Sequence, residues 1–370
     1  MDFAAILRTV GSLAAVAGAL SLVISLAERV LNNYGTVELD INDGKKKLSV
    51  TGGASLLSTL ANEKVFIPSA CGGKATCGLC KVAIKEGGGP LLLTEEPYVT
   101  QEERARGVRL SCQVKVKTSM KLLIPEELFN IREFVCELTE MEDMTYDIKR
   151  LRLKLPTGER MLFKAGQYVQ LYSKPYAKVR ESVFRAYSIS SKPSEEDFVE
   201  LLVRLVPNGI LTTWAHTALK VGDQVRISGP YGDFYLRGEN GEELIMIAGG
   251  SGLAPIRSLV YDVIERGLPN KMRFFFGANT LRDMYYLEEF AQIQREHPQF
   301  TFIPCLAFPK PEDNWTGKTG FVTVALQEMV DGAEGKEAYL CGSPGMLDAC
   351  IKILKEKGFT DSTIFFDKFT

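Results

Sequence analysis

Four of the eight cysteines of this 370-residue sequence fall in one pattern, Cys71-x5-Cys77-x2-Cys80, with Cys112 after 31 further residues. Two irons bridged by sulfide need four soft thiolates converging from a loop that can wrap the cluster. Gly72, Gly73 and Gly78 allow that loop unusual backbone angles and aim N–H groups at the sulfurs. Zinc is the rival, but structural zinc sites usually show paired C-x2-C knuckles and only one such pair is present. The spacing therefore predicts a [2Fe–2S] cluster on Cys71, Cys77, Cys80 and Cys112. Cys136, Cys305 and Cys350 read as small core residues.

Two further strings carry chemistry of a different kind. In R-A-Y-S, Arg185, Ala186, Tyr187 and Ser188, strand alternation puts Arg185 and Tyr187 on one face and Ser188 on the other. An arginine there can clamp a phosphate, a tyrosine can stack on an isoalloxazine ring, and a serine hydroxyl can reach flavin N5. Some 20 residues on, Gly209 precedes Thr212 and Thr213 at a helix start, offering N–H groups and hydroxyls to a pyrophosphate. Downstream, I-A-G-G-S-G-L-A-P places Gly249, Gly250, Ser251, Gly252 and Pro255 between a strand and a helix, where a dinucleotide can sit. It is not the GxGxxG fingerprint. The string Y-L-C-G-S-P, with Cys341, Gly342 and Pro344, ends the last strand of that region, and Cys341 there could lie beside nicotinamide C4. A buried core cysteine is the plainer reading of the same residue.

These groups need several elements to position them. The length allows two to four domains, and 45% apolar with 24% charged residues is ordinary for globular protein. A net charge of −2 argues against a nucleic-acid partner, and two histidines argue against a His-rich metal site or a Ser-His-Asp triad. From Thr9 to Ala27 no residue is charged, a length that just crosses a hydrocarbon core. It exceeds a signal-peptide core, so residues 1–30 are expected to form an uncleaved transmembrane helix. Gly11, Ala15 and Gly18 on one face suit a partner helix.

Residues 34–129 read as a β-grasp domain. Its expected parts are strands Thr36–Ile41, Lys47–Thr51 and Lys81–Ile84, a helix capped by Ser55, and a closing segment Leu110–Val116. Residues 130–238 read as an antiparallel β-barrel with strands Leu151–Leu155, Tyr168–Tyr172, Ala186–Ile189, Glu200–Leu205 and Gln224–Ser228. Residues 239–370 alternate strands and helices as an α/β doubly wound sheet, with a loop from Pro309 to Gly320.

In this order the strings resemble the ferredoxin–NADP⁺ reductase superfamily fused to an N-terminal [2Fe–2S] ferredoxin domain. More closely, they are similar to the F subunits of the Na⁺-translocating NADH:quinone oxidoreductases. The resemblance spans the whole chain and rests on S-A-C-G-G-K-A-T-C-G-L-C, L-S-C-Q-V, R-A-Y-S, S-G-P-Y-G-D-F, G-G-S-G-L-A-P-I-R-S, P-E-D-N-W-T-G and F-D-K-F-T. It implies cluster ligation by Cys71, Cys77, Cys80 and Cys112, and FAD binding by Arg185, Tyr187 and Ser188 with Thr212 and Thr213 on the pyrophosphate. NADH would lie on Gly249–Pro255 and Cys341–Pro344, its adenosine ribose near Asn279–Arg282. Phe369 would cover the flavin face until nicotinamide displaces it, so Cys341, Ser188 and Phe369 are the expected catalytic set. One departure is the short stretch Ser173–Phe184, where the family carries a longer insertion.

The expected activity is NADH oxidation through FAD, which takes hydride and releases single electrons, to the cluster and on to a membrane partner. The resemblance implies ubiquinone as acceptor, sodium transport, and a single-pass location in the cell inner membrane with the catalytic domains in the cytoplasm. A reductase component for an oxygenase and a non-enzymatic zinc scaffold are the competing readings.

Overall fold

The computed structural model describes residues 10, 11, 13–23 and 34–369. Among the first thirteen of these the chain is helical and exposed. The remainder of the expected transmembrane helix lies outside the described residues, among which no helix is long and apolar enough to cross a membrane. From residue 34 on, the chain divides into two compact units.

The first unit holds strands β1 (Thr36–Ile41), β2 (Lys46–Thr51), β3 (Lys81–Glu86), β4 (Val108–Leu110) and β5 (Met120–Leu123). They pair in the order β2-β1-β5-β3-β4, with β1 and β5 parallel and the other pairs antiparallel. The helix Leu56–Asn62 crosses this sheet, and the Ser55 hydroxyl accepts from Ser58 N as its N-cap. That is the β-grasp arrangement the alternation predicts. The closing segment differs from expectation. Strand β4 stops at Leu110, Gln113 N donates back to Leu110 O, and Val116 N bonds Ala54 O instead of a sheet neighbour. The chain has to turn at Cys112, so Leu110–Val116 is not one strand.

The second unit carries two sheets. Strands β6 (Arg132–Asp143), β7 (Ile148–Lys154), β8 (Tyr168–Tyr172), β9 (Phe184–Ser188), β10 (Phe198–Arg204) and β11 (Gln224–Tyr231) form an antiparallel sheet, β10-β7-β6-β11-β8-β9. A bridge from Ile189 to Leu201 brings its two edges together, which closes a barrel around Phe134, Leu151, Val169 and Leu201. Strand β6 has no counterpart in the expected set. Its buried residues Phe134, Cys136 and Leu138 do alternate, but five acidic residues between Glu133 and Asp143 mask the pattern.

Strands β12 (Glu243–Gly249), β13 (Met272–Ala278), β14 (Phe300–Leu306), β15 (Lys318–Thr319), β16 (Lys336–Gly342) and β17 (Ile364–Lys368) form a wholly parallel sheet, β15-β14-β13-β12-β16-β17. Helices Leu253–Glu265, Leu287–Glu296, Val322–Met329 and Pro344–Glu356 cover it. The chain runs outward from β12 through β15, then returns to start again at β16. The strand order thus reverses between β12 and β16, and the crevice at their carboxyl ends is where an open α/β sheet takes a ligand.

Candidate functional site

In the first unit Cys80 is buried, Cys77 and Cys112 are half-buried, and Cys71 is buried in the segment Pro68–Gly72, which groups with the second unit. The structure brings Cys80 and Cys112 into hydrogen-bond contact. The Cys112 thiol and burial together push the Cys80 thiol far above its ordinary value. Two thiols in contact are a donor pair that would give up their protons to a metal taking their place. Among the described residues no group of three or more metal-binding side chains is gathered. Gly72, Gly73 and Gly78 all have positive φ, as expected of a wrapping loop. Gly78 is also a close approach, since a Cβ there would lie 2.6 Å from the Tyr98 ring.

Within the second unit, β9 carries the R-A-Y-S string with Ser188 buried and Arg185, Ala186 and Tyr187 half-buried. Arg185 donates to Phe184 O at 2.6 Å, and a Cβ on Gly72 would meet its guanidinium. Gln170 Nε2 reaches Ser69 O at 3.4 Å. Gly209 is the N-cap of the helix Ile210–Thr217 and supplies no side-chain cap. The Thr212 hydroxyl turns back onto Val206 O and Gly209 O, so this helix start presents backbone N–H groups more than hydroxyls. Thr213 lies half-buried on the first turn.

At the switch point the two expected strings meet. Gly252 packs so closely on Cys341 that a Cβ would fall 2.3 Å from the Cys341 carbonyl oxygen, and a Cβ on Gly249 would strike Met346 Sδ at 2.6 Å. At Gly252, against backbone, glycine is required for space. At Gly250 it is required for conformation as well, with φ +56. Ser251 lies in the same short turn, Pro255 opens the following helix, and Pro344 sits at the start of its own. Gly342 O accepts from Phe369 N at 3.0 Å, which ties Phe369 beside the end of β16.

Three family models match this chain. They are described as a 2Fe-2S iron-sulfur cluster binding domain over residues 39–117, an oxidoreductase FAD-binding domain over 135–235 and an oxidoreductase NAD-binding domain over 246–352. A relative from Klebsiella pneumoniae subsp. pneumoniae, the F subunit of a Na(+)-translocating NADH-quinone reductase, is 38% identical over 391 residues, covering 95% of this chain and 96% of its own. The protein of the same name in Neisseria meningitidis is 37% identical with the same coverage. The chain belongs to the family of Na⁺-translocating NADH-quinone reductase F subunits. Among solved structures the Amycolatopsis cytochrome P450 reductase GcoB is 30% identical, with a TM-score of 0.72 over 90% of this chain and 99% of that one. A ferredoxin reductase in carbazole 1,9a-dioxygenase, 22% identical with a TM-score of 0.70, shares the fold.

For this NADH-quinone reductase chain, three residues at the crevice matter that the sequence strings did not disclose. Asp367 pairs in register with Cys341 across β16 and β17 and hydrogen-bonds Ser188. Burial raises its carboxyl to about 6, against the lowering pull of Ser188. Burial also holds the Cys341 thiol well above its ordinary value, with the Asp367 charge adding to the effect. Cys341 is therefore a neutral thiol, and Ser188, Cys341 and Asp367 form one small polar focus. Arg204, at the end of β10, is held by Asp147 at 2.7 Å and would lie 3.2 Å from a Cβ on Gly250. Asp283 accepts from both the Thr280 N–H, at 2.9 Å, and the Thr280 hydroxyl, at 2.6 Å, while the Arg282 guanidinium lies over the Tyr146 ring. The F-D-K-F-T string held a signal for Asp367. Arg204 and Asp283 had none, because their partners are far away in sequence or hidden in a turn.

Proposed function

We propose that this chain is the NADH-oxidising subunit of a Na⁺-translocating NADH:quinone reductase, passing electrons from NADH by way of FAD and a [2Fe–2S] cluster to a membrane partner. The observation that carries the reading is the meeting of Gly252 with Cys341 at the switch point, beside Ser188 of the barrel and Asp367 of β17. Bound FAD supplies a two-electron acceptor for hydride that releases single electrons, and a [2Fe–2S] cluster accepts one at a time.

The chain's own residues bind, orient and exclude. The Gly249–Pro255 turn and the start of the helix Leu253–Glu265 accommodate the NADH pyrophosphate, and Arg204 adds positive charge beside that turn. Ser188 would stand at flavin N5 with its hydroxyl oriented by Asp367, to which it donates. Tyr187 is the stacking face and Arg185 the phosphate partner for FAD, with Thr213 and the helix N–H groups after Gly209 at its pyrophosphate. Cys341 contributes a small neutral side chain beside nicotinamide C4, and Phe369 screens the flavin until the nicotinamide arrives. Cys71, Cys77, Cys80 and Cys112 would hold the cluster. Asp283, with its carboxylate on Thr280, disfavours a 2′-phosphate at the adenosine ribose, which supports NADH over NADPH.

The uncharged run Thr9–Ala27 supports a single-pass inner-membrane anchor. NADH as a cytoplasmic substrate supports catalytic units on that side, and the likeness to the NADH-quinone reductase F subunits supports ubiquinone as the final acceptor. The likeness to GcoB supports a second reading, a reductase for a soluble oxygenase. Washing membranes with high salt separates the two. Retention of NADH:ferricyanide reductase activity, FAD and iron in the membrane fraction is expected, and quantitative release by salt would sink the membrane assignment. A colourless purified protein without flavin would sink both.

A further inference from the structure

The residue that follows the fourth cysteine is Gln113, and its amide bridges two groups. Its Nε2 lies 3.7 Å from Cys112 Sγ, while its Oε1 accepts from the Thr94 hydroxyl at 2.9 Å. A primary amide can face either way and the Thr94 hydroxyl can donate or accept, so the choice falls to the sulfur, since a ligating thiolate only accepts. With the NH₂ end on sulfur, the carbonyl end takes the Thr94 hydroxyl.

Thr94 is itself held by a buried anchor. The neighbouring Glu95 is fully buried and accepts from Arg109 Nη2 at 2.6 Å, from Leu92 N and from Leu110 N. Arg109 also donates to Gly88 O and Gly89 O, both at 2.8 Å. This buried pair ties the loop 88–95 to β4, the strand that leads directly into Cys112. Tyr98, a little further on, donates to Thr76 O on the cysteine loop. Thr94 is exposed and Gln113 only half-buried, so packing does not account for their alignment.

We propose that Gln113 donates a hydrogen bond to the Cys112 thiolate of the cluster and thereby raises its reduction potential, with Thr94 as the positioning residue that holds the amide in that orientation. A ligating thiolate can only accept. An N–H aimed at it stabilises the reduced cluster, which carries one more negative charge, more than the oxidised one. The inference rests on the four-cysteine cluster reading.

The test is a redox titration of the cofactor-loaded full-length protein, followed by the paramagnetic signal of the reduced cluster. Gln113→Leu is expected to lower the cluster midpoint by an amount on the order of a tenfold shift in the one-electron equilibrium, about 59 mV. Gln113→Glu, of the same shape but with an added charge and no donor, lowers it further. Thr94→Val shifts it in the same direction by less, and Thr94→Ser restores the native value. The rate of FAD reduction by NADH stays unchanged in all four. A native midpoint in Gln113→Leu overturns the proposal. If that variant fails to take up iron and sulfide, a native midpoint in Thr94→Val overturns it instead. Absence of the signal in the unaltered protein would instead defeat the cluster reading beneath it.

Discussion

Asp367 shows how a single side chain couples the flavin strand to the nicotinamide sheet. Its carboxyl titrates near 6, above the ordinary value of 3.8, so the folded protein holds that proton more tightly than the unfolded chain does. The stability this proton confers is full below about pH 4 and is lost as pH rises through 6. Asp367→Asn is therefore expected to match the native protein in melting temperature at pH 4 and to exceed it by about 2–4 °C at pH 7. Equal melting temperatures at pH 7 would remove the burial argument. Cys341 lies beside it, fully buried with its thiol held neutral. Iodoacetamide at pH 7.5 should leave NADH-dependent flavin reduction intact, whereas Cys341→Leu should slow it by crowding the nicotinamide; stopped-flow absorbance at the flavin band reads both. If the adenosine ribose lies at Thr280 as proposed, Asp283→Ser should narrow the preference for NADH over NADPH by about tenfold or more in kcat/KM, because it removes a carboxylate that would face the 2′-position.

Elements act together through one buried polar cluster. Arg257, on the helix that starts at the Gly-rich turn, donates to Glu200 Oε1 at 2.9 Å, to Ser190 O at 2.9 Å and to Glu289 Oε1 at 2.6 Å. The adjacent Ser258 hydroxyl donates to Ser191 O at 2.8 Å. Strand β9 ends at Ser188, so the helix that would hold a dinucleotide also clamps the chain just beyond the flavin serine. Glu200 is 1% exposed and also faces Arg150 at 3.5 Å and Arg152 at 3.6 Å, so losing Arg257 removes the nearest of its three cations. Arg257→Met should destabilise the second unit by about 1–3 kcal/mol through the hydrogen bonds lost at Ser190, Glu200 and Glu289; urea unfolding followed by flavin release measures the loss. Much at this scale was legible beforehand. Strands such as Thr36–Ile41 and Tyr168–Tyr172 agree to the residue, and residues 239–370 form the parallel sheet that their alternation of strands and helices predicts. Strand β6 was hidden by its charges, and β17 by having one buried residue in its five, which leaves no apolar pattern to read. The break at Cys112 was hidden because apolar alternation continues through the turn that Gln113 N and Val114 N make onto Leu110 O.

At the scale of the whole molecule, two compact units share the work. Cys77→Ala should abolish the reduced-cluster paramagnetic signal while flavin reduction by NADH proceeds at the native rate, since Cys77 lies in the first unit and the flavin and nicotinamide residues in the second. Parallel loss of both would mean that the units do not function separately. The sequence alone determined the order of modules, which the three family models match, and the positions of the cysteine motif and the glycine-rich turns, because these are read from residue type along the chain. Only tertiary structure decided that Thr212 turns its hydroxyl inward, that Cys80 and Cys112 meet, and that Ser188, Cys341 and Asp367 converge. The same holds for Gln113, whose amide lies between Cys112 Sγ and the Thr94 hydroxyl. The physical reason is common to all of them. A side chain's chemistry is set by which distant group takes its hydrogen bond and how much water is left around it, and neither is a property of local sequence.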